Sequence, residues 1–434
     1  MTSSANDHRP QRPRQAPAHP APMAPRVRRP GRASLHTLPP LAVALSALAL
    51  ISCVGAAGRP GAAGQSGGRS PAAPTTDASG SAGSPSAVTS PAALPNLTPA
   101  QKAGQRVIYS YSGLQPPATL LSWIRHGLVG GVIFFGGNIS SRAQIAGVIK
   151  QLDEANASAS NPLRAVPLLL MTDQEGGVVR RLPGRPFASE KQIGEEAHPA
   201  AAAKAAGTGA GQNLAGVGMN VNLAPVLDVY RTAGDFDDQF GRSYSTSPQV
   251  VSALGADFIK AQQATGVAAT AKHFPGLGAA SSTQDTDARP VTLNVGLHAL
   301  RTIDEYPYRA AIAAGVKLVM VSWAVYPALA RSTPAGLSSA VVNGELRDRL
   351  GFRGVTITDA LEAGALQAFG TTGHRATLAA RAGMDLILCS GQRASQGRLA
   401  RSALATALSS GALSASVFDA ALTRVIALRT GLRG

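Results

Sequence analysis

Several apolar runs in this chain end in residues that can do chemistry. Leu168–Thr172 leads into Asp173-Gln174-Glu175-Gly176-Gly177, with Arg181 close behind. Met219–Ala224 leads through Pro225-Val226-Leu227 to Asp228, and Arg242 follows. Val267–Thr270 is followed by Lys272-His273-Phe274-Pro275-Gly276, Leu318–Val321 by Ser322-Trp323, and Gly354–Thr358 by Asp359. Carboxylates, guanidinium groups, an ammonium and an imidazole can hold a hydroxyl-rich ligand, move protons or attack as nucleophiles. A single acid after an apolar run can equally cap the next helix. The same arrangement at run after run points instead to one polar ligand, and a paired Lys272 and His273 has no packing rationale.

The elements that must position these groups follow from the hydrophobic pattern. From Leu97 onward, strands are expected near Arg106–Ser110, Gly131–Phe135, Leu168–Thr172, Met219–Ala224, Val267–Thr270, Leu318–Val321, Gly354–Thr358 and Asp385–Leu388. Helical patterns separate them, for example at Ala143–Ala155, Pro248–Thr265, His298–Ala314 and His374–Ala382. Continuous apolar strands bracketed by helices imply a parallel sheet covered on both faces. Eight such units fit one α/β domain, a (β/α)8 TIM barrel, whose active site lies at the C-terminal strand ends. An open doubly wound sheet would carry a glycine-rich phosphate loop after its first strand, and none is present.

These residues together resemble the serial motifs of family 3 glycoside hydrolases, and most closely the single-domain β-N-acetylglucosaminidase branch. The likeness rests on Asp173–Gly177 with Arg181, Asn222–Asp228, Lys272–Gly276 and Thr358-Asp359, in that order. Gly130–Gly136 and Ala382-Gly383-Met384-Asp385 add to it. The resemblance implies that Asp359 attacks the anomeric carbon and forms a glycosyl-enzyme. It implies that Asp173 accepts hydrogen bonds from sugar hydroxyls, and that Arg181, Arg242, Lys272 and His273 donate to them. Asp228 is read as a brace for the strand-four loop. No cofactor is implied.

One stretch departs from the family pattern. The branch has a histidine in the strand-five loop as its acid/base, but here that loop runs Leu277-Gly278-Ala279-Ala280-Ser281-Ser282-Thr283-Gln284-Asp285-Thr286-Asp287, without histidine. Trp323 also stands where a histidine is expected after Ser322. Asp285 and Asp287 are the nearest candidates for the acid/base, against local turn formation as the alternative. Two functions are therefore open: an exo-acting retaining glycosidase on β-linked amino sugars, such as cell-wall (peptidoglycan) fragments, and a non-catalytic sugar-binding lipoprotein on the same barrel. A metal-dependent barrel hydrolase would need a His/Asp cluster at ligand spacing, and the sequence offers none.

The first part of the chain reads as an address. Arg26, Arg28, Arg29 and Arg32 precede the apolar run Leu41–Ile51, which suits a signal sequence and is too short for a spanning helix. The run ends in Leu50-Ile51-Ser52-Cys53, resembling a bacterial lipobox with Cys53 as the lipidated residue. Residues 1–53 are thus expected to be a signal peptide, with Met23 as an alternative start. Residues 54–96, rich in Gly, Ala, Ser and Pro, should form a flexible tether with a reach of ~35 Å, and residues 97–434 the hydrolase domain. This places the protein outside the cytoplasm, anchored by lipid to the outer face of a bacterial membrane. The net charge is +16, yet nine of the 40 basic residues and only two of the 24 acidic ones fall within residues 1–97. The remaining excess is scattered and lacks interleaved aromatics, so nucleic acid is not the expected partner. A carbohydrate substrate and a monomeric state are expected. Cys389, in the apolar run Asp385–Cys389, is expected to be buried.

Overall fold

The computed structural model describes residues 96–432; the expectations for the signal sequence, Cys53 and the tether fall on residues 1–95, outside those described. Eight parallel strands form the sheet: β1 (Val107–Tyr109), β2 (Gly131–Ile133), β3 (Leu169–Thr172), β4 (Val221–Asn222), β5 (Ala268–Phe274), β6 (Leu318–Val321), β7 (Val355–Thr358) and β8 (Ile387–Leu388). The spatial order is β8-β1-β2-β3-β4-β5-β6-β7. A parallel bridge from Ile357 to Leu386 brings β7 against the residue preceding β8 and closes the ring. This is the expected (β/α)8 barrel.

Two apolar layers account for the closure. Ile108, Ile133, Leu169, Met171, Val221, Leu318, Met320 and Ile357 point inward and form one buried cluster. The alternate residues, among them Val107, Val132, Leu170 and Val319, pack outward in a second cluster with the helices. This is how a period-2 side-chain alternation fills a barrel and seats its outer ring. The C-terminal helix Ala415–Gly431 adds Val425 and Leu428 to the inner cluster. Below the strands, Asp385 accepts from Arg347 Nη2 at 2.6 Å and Arg424 Nη2 at 2.8 Å, an ion cluster at the end opposite the site.

Helix starts follow local chemistry. Ser141, Ser189, Ser247, Thr371 and Ser414 each cap a helix with a side-chain oxygen, and Pro99, Pro199 and Pro248 lie in first turns. The helix expected over His298–Ala314 is broken into a short turn at Leu297–Ala299, a wide turn at Leu300–Asp304 and a helix at Tyr306–Ala313. Pro307, which lacks an N–H, limits the last of these to a fresh start. β5 runs further than expected, to Phe274 rather than Thr270, and its pairing with β6 shifts register between Ala271 and Phe274. No helix among the described residues is long and apolar enough to cross a membrane. Cys389 follows β8 and is fully buried, as expected.

Candidate active site

The C-terminal ends of the strands surround a cavity of about 350 Å³, a size that suits a small ligand (roughly 300–1,000 Å³). All eight site residues expected at the barrel rim line it: Asp173, Arg181, Arg242, Lys272, His273, Asp285, Asp287 and Asp359. Lys272 and His273 sit at the end of β5 itself rather than in the loop beyond it. The strand is irregular there, and both consecutive residues line the cavity, which a regular pleat would forbid.

One wall is a buried charge network. Glu175, 1% exposed, receives Arg242 through two hydrogen bonds of 2.9 and 3.0 Å and Lys272 Nζ at 2.7 Å. Burial alone would raise its pKa, but the two cations prevail and hold it at about 2. Lys272 also reaches Asp173 at 2.8 Å, and Arg242 reaches Asp237 at 2.9 Å. Most of the Arg242 fork is thus spent on Glu175 and Asp237, and Arg242 orients the wall more than it faces the ligand. Arg181 forms no ion pair among the described residues, and its buried Nε has no partner. Its guanidinium is available to a ligand.

A second wall is built around His273. Its Nδ1 lies 2.7 Å from Asp228 Oδ2, while Asp228 Oδ1 accepts the Leu277 backbone N–H at 2.6 Å. Burial, and then the Arg242 cation, lower the His273 pKa to about 4, so the ring is neutral. A neutral ring that donates from Nδ1 presents Nε2 as an acceptor. With Asp228 behind Nδ1, the arrangement favours a ring that offers Nε2 as an acceptor, where the resemblance implies a donor. Asp228 braces the β5 end and its loop, more than its own loop. Burial lifts the Asp228 pKa to about 6, and burial with the Asp228 charge lifts Asp237 to about 7. Ligand atoms of Asp228, Asp237 and His273 lie within 4.8 Å of one another, a convergence the sequence alone did not reveal. The His273–Asp228 hydrogen bond and the Arg242 guanidinium on Asp237 already fill that geometry with donors.

The third wall carries Asp359, Asp285, Asp287 and Glu362. Asp359 Oδ1 accepts the Ala360 N–H at 2.7 Å, and the Trp323 indole donates to the Ala360 carbonyl at 2.8 Å. Trp323 is fully buried, so the residue found in place of a histidine holds the turn after Asp359 from behind. Asp285 Oδ1 accepts the Asp287 N–H at 2.8 Å, the local turn weighed as an alternative. Asp287 is exposed as a whole residue, and it lines the cavity together with Asp359, Asp285 and Glu362. Local burial, then the charges of Asp359, Asp285 and Glu362, raise its pKa to about 7. Glu362 is fixed by Ser390 Oγ at 2.7 Å and Gln396 Nε2 at 2.8 Å.

Residues 100–428 match the glycosyl hydrolase family 3 N-terminal domain. The chain belongs to glycosyl hydrolase family 3. A secreted glycosyl hydrolase of Arthroderma benhamiae is 46% identical over 347 residues, covering 80% of this chain and 97% of that protein. A family 3 β-N-acetylglucosaminidase from Paenibacillus superimposes with a TM-score of 0.72 at 36% identity; the match covers 78% of this chain and 64% of that one. A β-N-acetylhexosaminidase from Beutenbergia cavernae gives 0.70 at 31% identity, covering 77% and 99%. This family 3 chain is a glycoside hydrolase, and the sugar-binding alternative is not favoured.

The sequence reading gave no role to Glu175, Asp237 or Glu362. Glu175 was visible inside the Asp173–Gly177 motif, where an acid that pairs with Lys272 and Arg242 could have been sought. Asp237 and Glu362 sit in irregular loops, where spacing carries no signal.

Proposed function

We propose that this family 3 enzyme is an exo-acting retaining β-N-acetylhexosaminidase in which Asp359 is the nucleophile and Asp287 the acid/base. The observation that carries this reading is the presence of both carboxyls in one cavity, where local burial and the neighbouring acids raise the Asp287 pKa. Retaining hydrolysis uses such a pair at about 5–5.5 Å, one ionised and one protonated. Asp359 attacks the anomeric carbon while Asp287 protonates the leaving oxygen; Asp287 then deprotonates the water that cleaves the glycosyl-enzyme. Asp173, Arg181, Lys272 and His273 bind the sugar hydroxyls, with His273 accepting and Arg181 and Lys272 donating. The chemistry needs no cofactor or metal ion. The two amino-sugar hydrolases of similar structure support an N-acetylhexosaminide as substrate, and cell-wall peptidoglycan is a fitting source.

The same reading places the protein outside the cytoplasm as a lipoprotein anchored through Cys53, acting as a monomer. The secreted Arthroderma relative supports export. Metabolic labelling with a lipid precursor, lost on Cys53→Ala, tests the anchor. Incubation with an activated 5-fluoro N-acetylhexosaminyl fluoride, which keeps the C2 acetamido group, followed by peptide mass mapping tests the enzyme. The label is expected on the peptide that contains Asp359; a label on another carboxylate overturns the assignment.

A further inference from the structure

The loop between β4 and β5 carries an aromatic pair that the reaction scheme leaves unused. Phe236 lines the cavity, and Phe240 stands outside it, 46% exposed. The rings meet edge to face at 5.8 Å and 80°. A large exposed ring packed against a residue that lines a polar cavity is the kind of apolar surface that marks a ligand groove.

This pair is held rigidly. The turn Asp238–Phe240 is anchored on one side by Asp237 on Arg242 and on the other by Asp238, which pairs with Lys191 at 2.7 Å. Asp238 also accepts the Gly234 N–H at 2.7 Å. Gly241 ends the turn at φ +68°, a left-handed conformation that costs glycine little. The segment is tied to the loop that carries Asp285 and Asp287: Phe236 N–H donates to the Ala280 carbonyl at 2.9 Å, and Gln239 Nε2 to the Ser282 carbonyl at 3.0 Å.

The position fixes the occupant. A general acid must lie beside the glycosidic oxygen, so the leaving group lies on the acid's side of the cavity. A pyranose presents an apolar face of C–H groups that packs on an aromatic ring. We propose that Phe240, buttressed by the perpendicular Phe236 ring, forms the leaving-group subsite, a shelf that receives the face of the second sugar of a β-linked oligosaccharide. This rests on the hydrolase reading above, because it takes the acid loop to mark the leaving-group side.

The test compares Phe240→Ala and Phe240→Trp with the wild type on N,N′-diacetylchitobiose and on N-acetylglucosaminyl β-fluoride, whose leaving group is too small to reach Phe240. The ratio of kcat/KM on the disaccharide to that on the fluoride should fall about threefold to tenfold in Phe240→Ala and recover in Phe240→Trp. A wild-type ratio in Phe240→Ala overturns the shelf. Absence of wild-type turnover on both substrates would instead sink the hydrolase reading. The shelf is then read by binding alone, in an Asp359→Ala background titrated with disaccharide and monosaccharide. Phe240→Ala should weaken the disaccharide selectively; equal weakening of both, or no change, overturns it.

Discussion

Gly364 donates its backbone N–H to the carbonyl of Asp287 at 2.7 Å, and Ala365 does the same to Thr286 at 3.0 Å. These bonds staple the loop that bears Asp287 to the turn that follows Asp359. An acid on a free loop would spend little time at the glycosidic oxygen. Here main-chain bonds tie together the two segments that carry the carboxyls, the kind of support that the proposed pair would require.

If Asp287 is the acid, its loss should depend on the leaving group. Asp287→Asn is expected to lower kcat/KM on a disaccharide by about 10²–10⁴-fold, and far less on an aryl glycoside with an acidic phenol. Added azide, which needs no base, should partly restore deglycosylation. Asp285→Ala should have a smaller effect, since Asp285 acts by holding the Asp287 N–H. The measurement is a series of aryl glycosides of graded phenol acidity. Equal losses across the series for Asp287→Asn would remove Asp287 from proton transfer.

The pH profile follows from the same group. Asp287 must be protonated to act, and its carboxyl is raised to about 7 by local burial and by Asp359, Asp285 and Glu362. Activity on poor leaving groups should therefore fall as pH rises through about 7. Glu362→Gln removes one of the charges that hold the proton, so this limb should move to lower pH. An unmoved limb in Glu362→Gln would show that Glu362 does not tune the acid.

Most of the barrel is legible in the sequence because each strand is an apolar run buried on both faces, a pattern set by burial itself. The site residues at strand ends are legible for the same reason: once the strand is placed, Asp173 and Asp359 must emerge at its rim. What the sequence does not carry is partner choice. His273 is turned toward accepting from a ligand because Asp228, 45 residues earlier, lies against its Nδ1 and favours an N–H there. The Asp287 carboxyl is made a weaker acid by local burial and by Asp359, Asp285 and Glu362 folded against it, none of which its place in the sequence shows. The end of β5 is hidden by Lys272 and His273, polar residues that a hydrophobic reading places outside a strand. Trp323 signals a missing histidine in the sequence, yet its role as a prop for Ala360 needs the folded turn.

Glu175 offers a test of stability. It is the shared partner of Arg242 and Lys272, and Glu175→Gln leaves two buried cations short of charge. Removing one member of a buried ionic network typically costs about 3–5 kcal/mol, and the loss should appear as a lower urea midpoint at constant slope. The folded pKa of Glu175 lies below its unfolded value, so its contribution is fully present above about pH 4.5 and is lost as pH falls toward about 2. The gap between wild type and Glu175→Gln should be widest near neutrality and narrow on acidification. A gap that is constant with pH would mean that packing, not charge, is responsible.

The tautomer of His273 can be set from behind. In the wild type, Asp228 Oδ2 lies 2.7 Å from Nδ1, which favours the Nδ1–H tautomer and leaves Nε2 able to accept. The pKa of about 4 keeps the ring neutral near neutral pH. Asp228→Asn can offer an amide N–H to Nδ1, which drives the proton to Nε2 and turns an acceptor into a donor. A sugar hydroxyl that donated to Nε2 would then face an N–H, and an unpaired buried group of this kind costs roughly 1–3 kcal/mol. The loss in kcat/KM should therefore be about tenfold to a hundredfold. It should vanish for the one monodeoxy substrate that lacks the hydroxyl in question, because that substrate has no bond to lose. Nitrogen NMR of the ring reports the tautomer directly and separates the switch from a general loss of structure. Retention of the Nδ1–H form in Asp228→Asn together with wild-type kinetics, or an equal loss on every deoxy substrate, would show that His273 does not accept from the sugar.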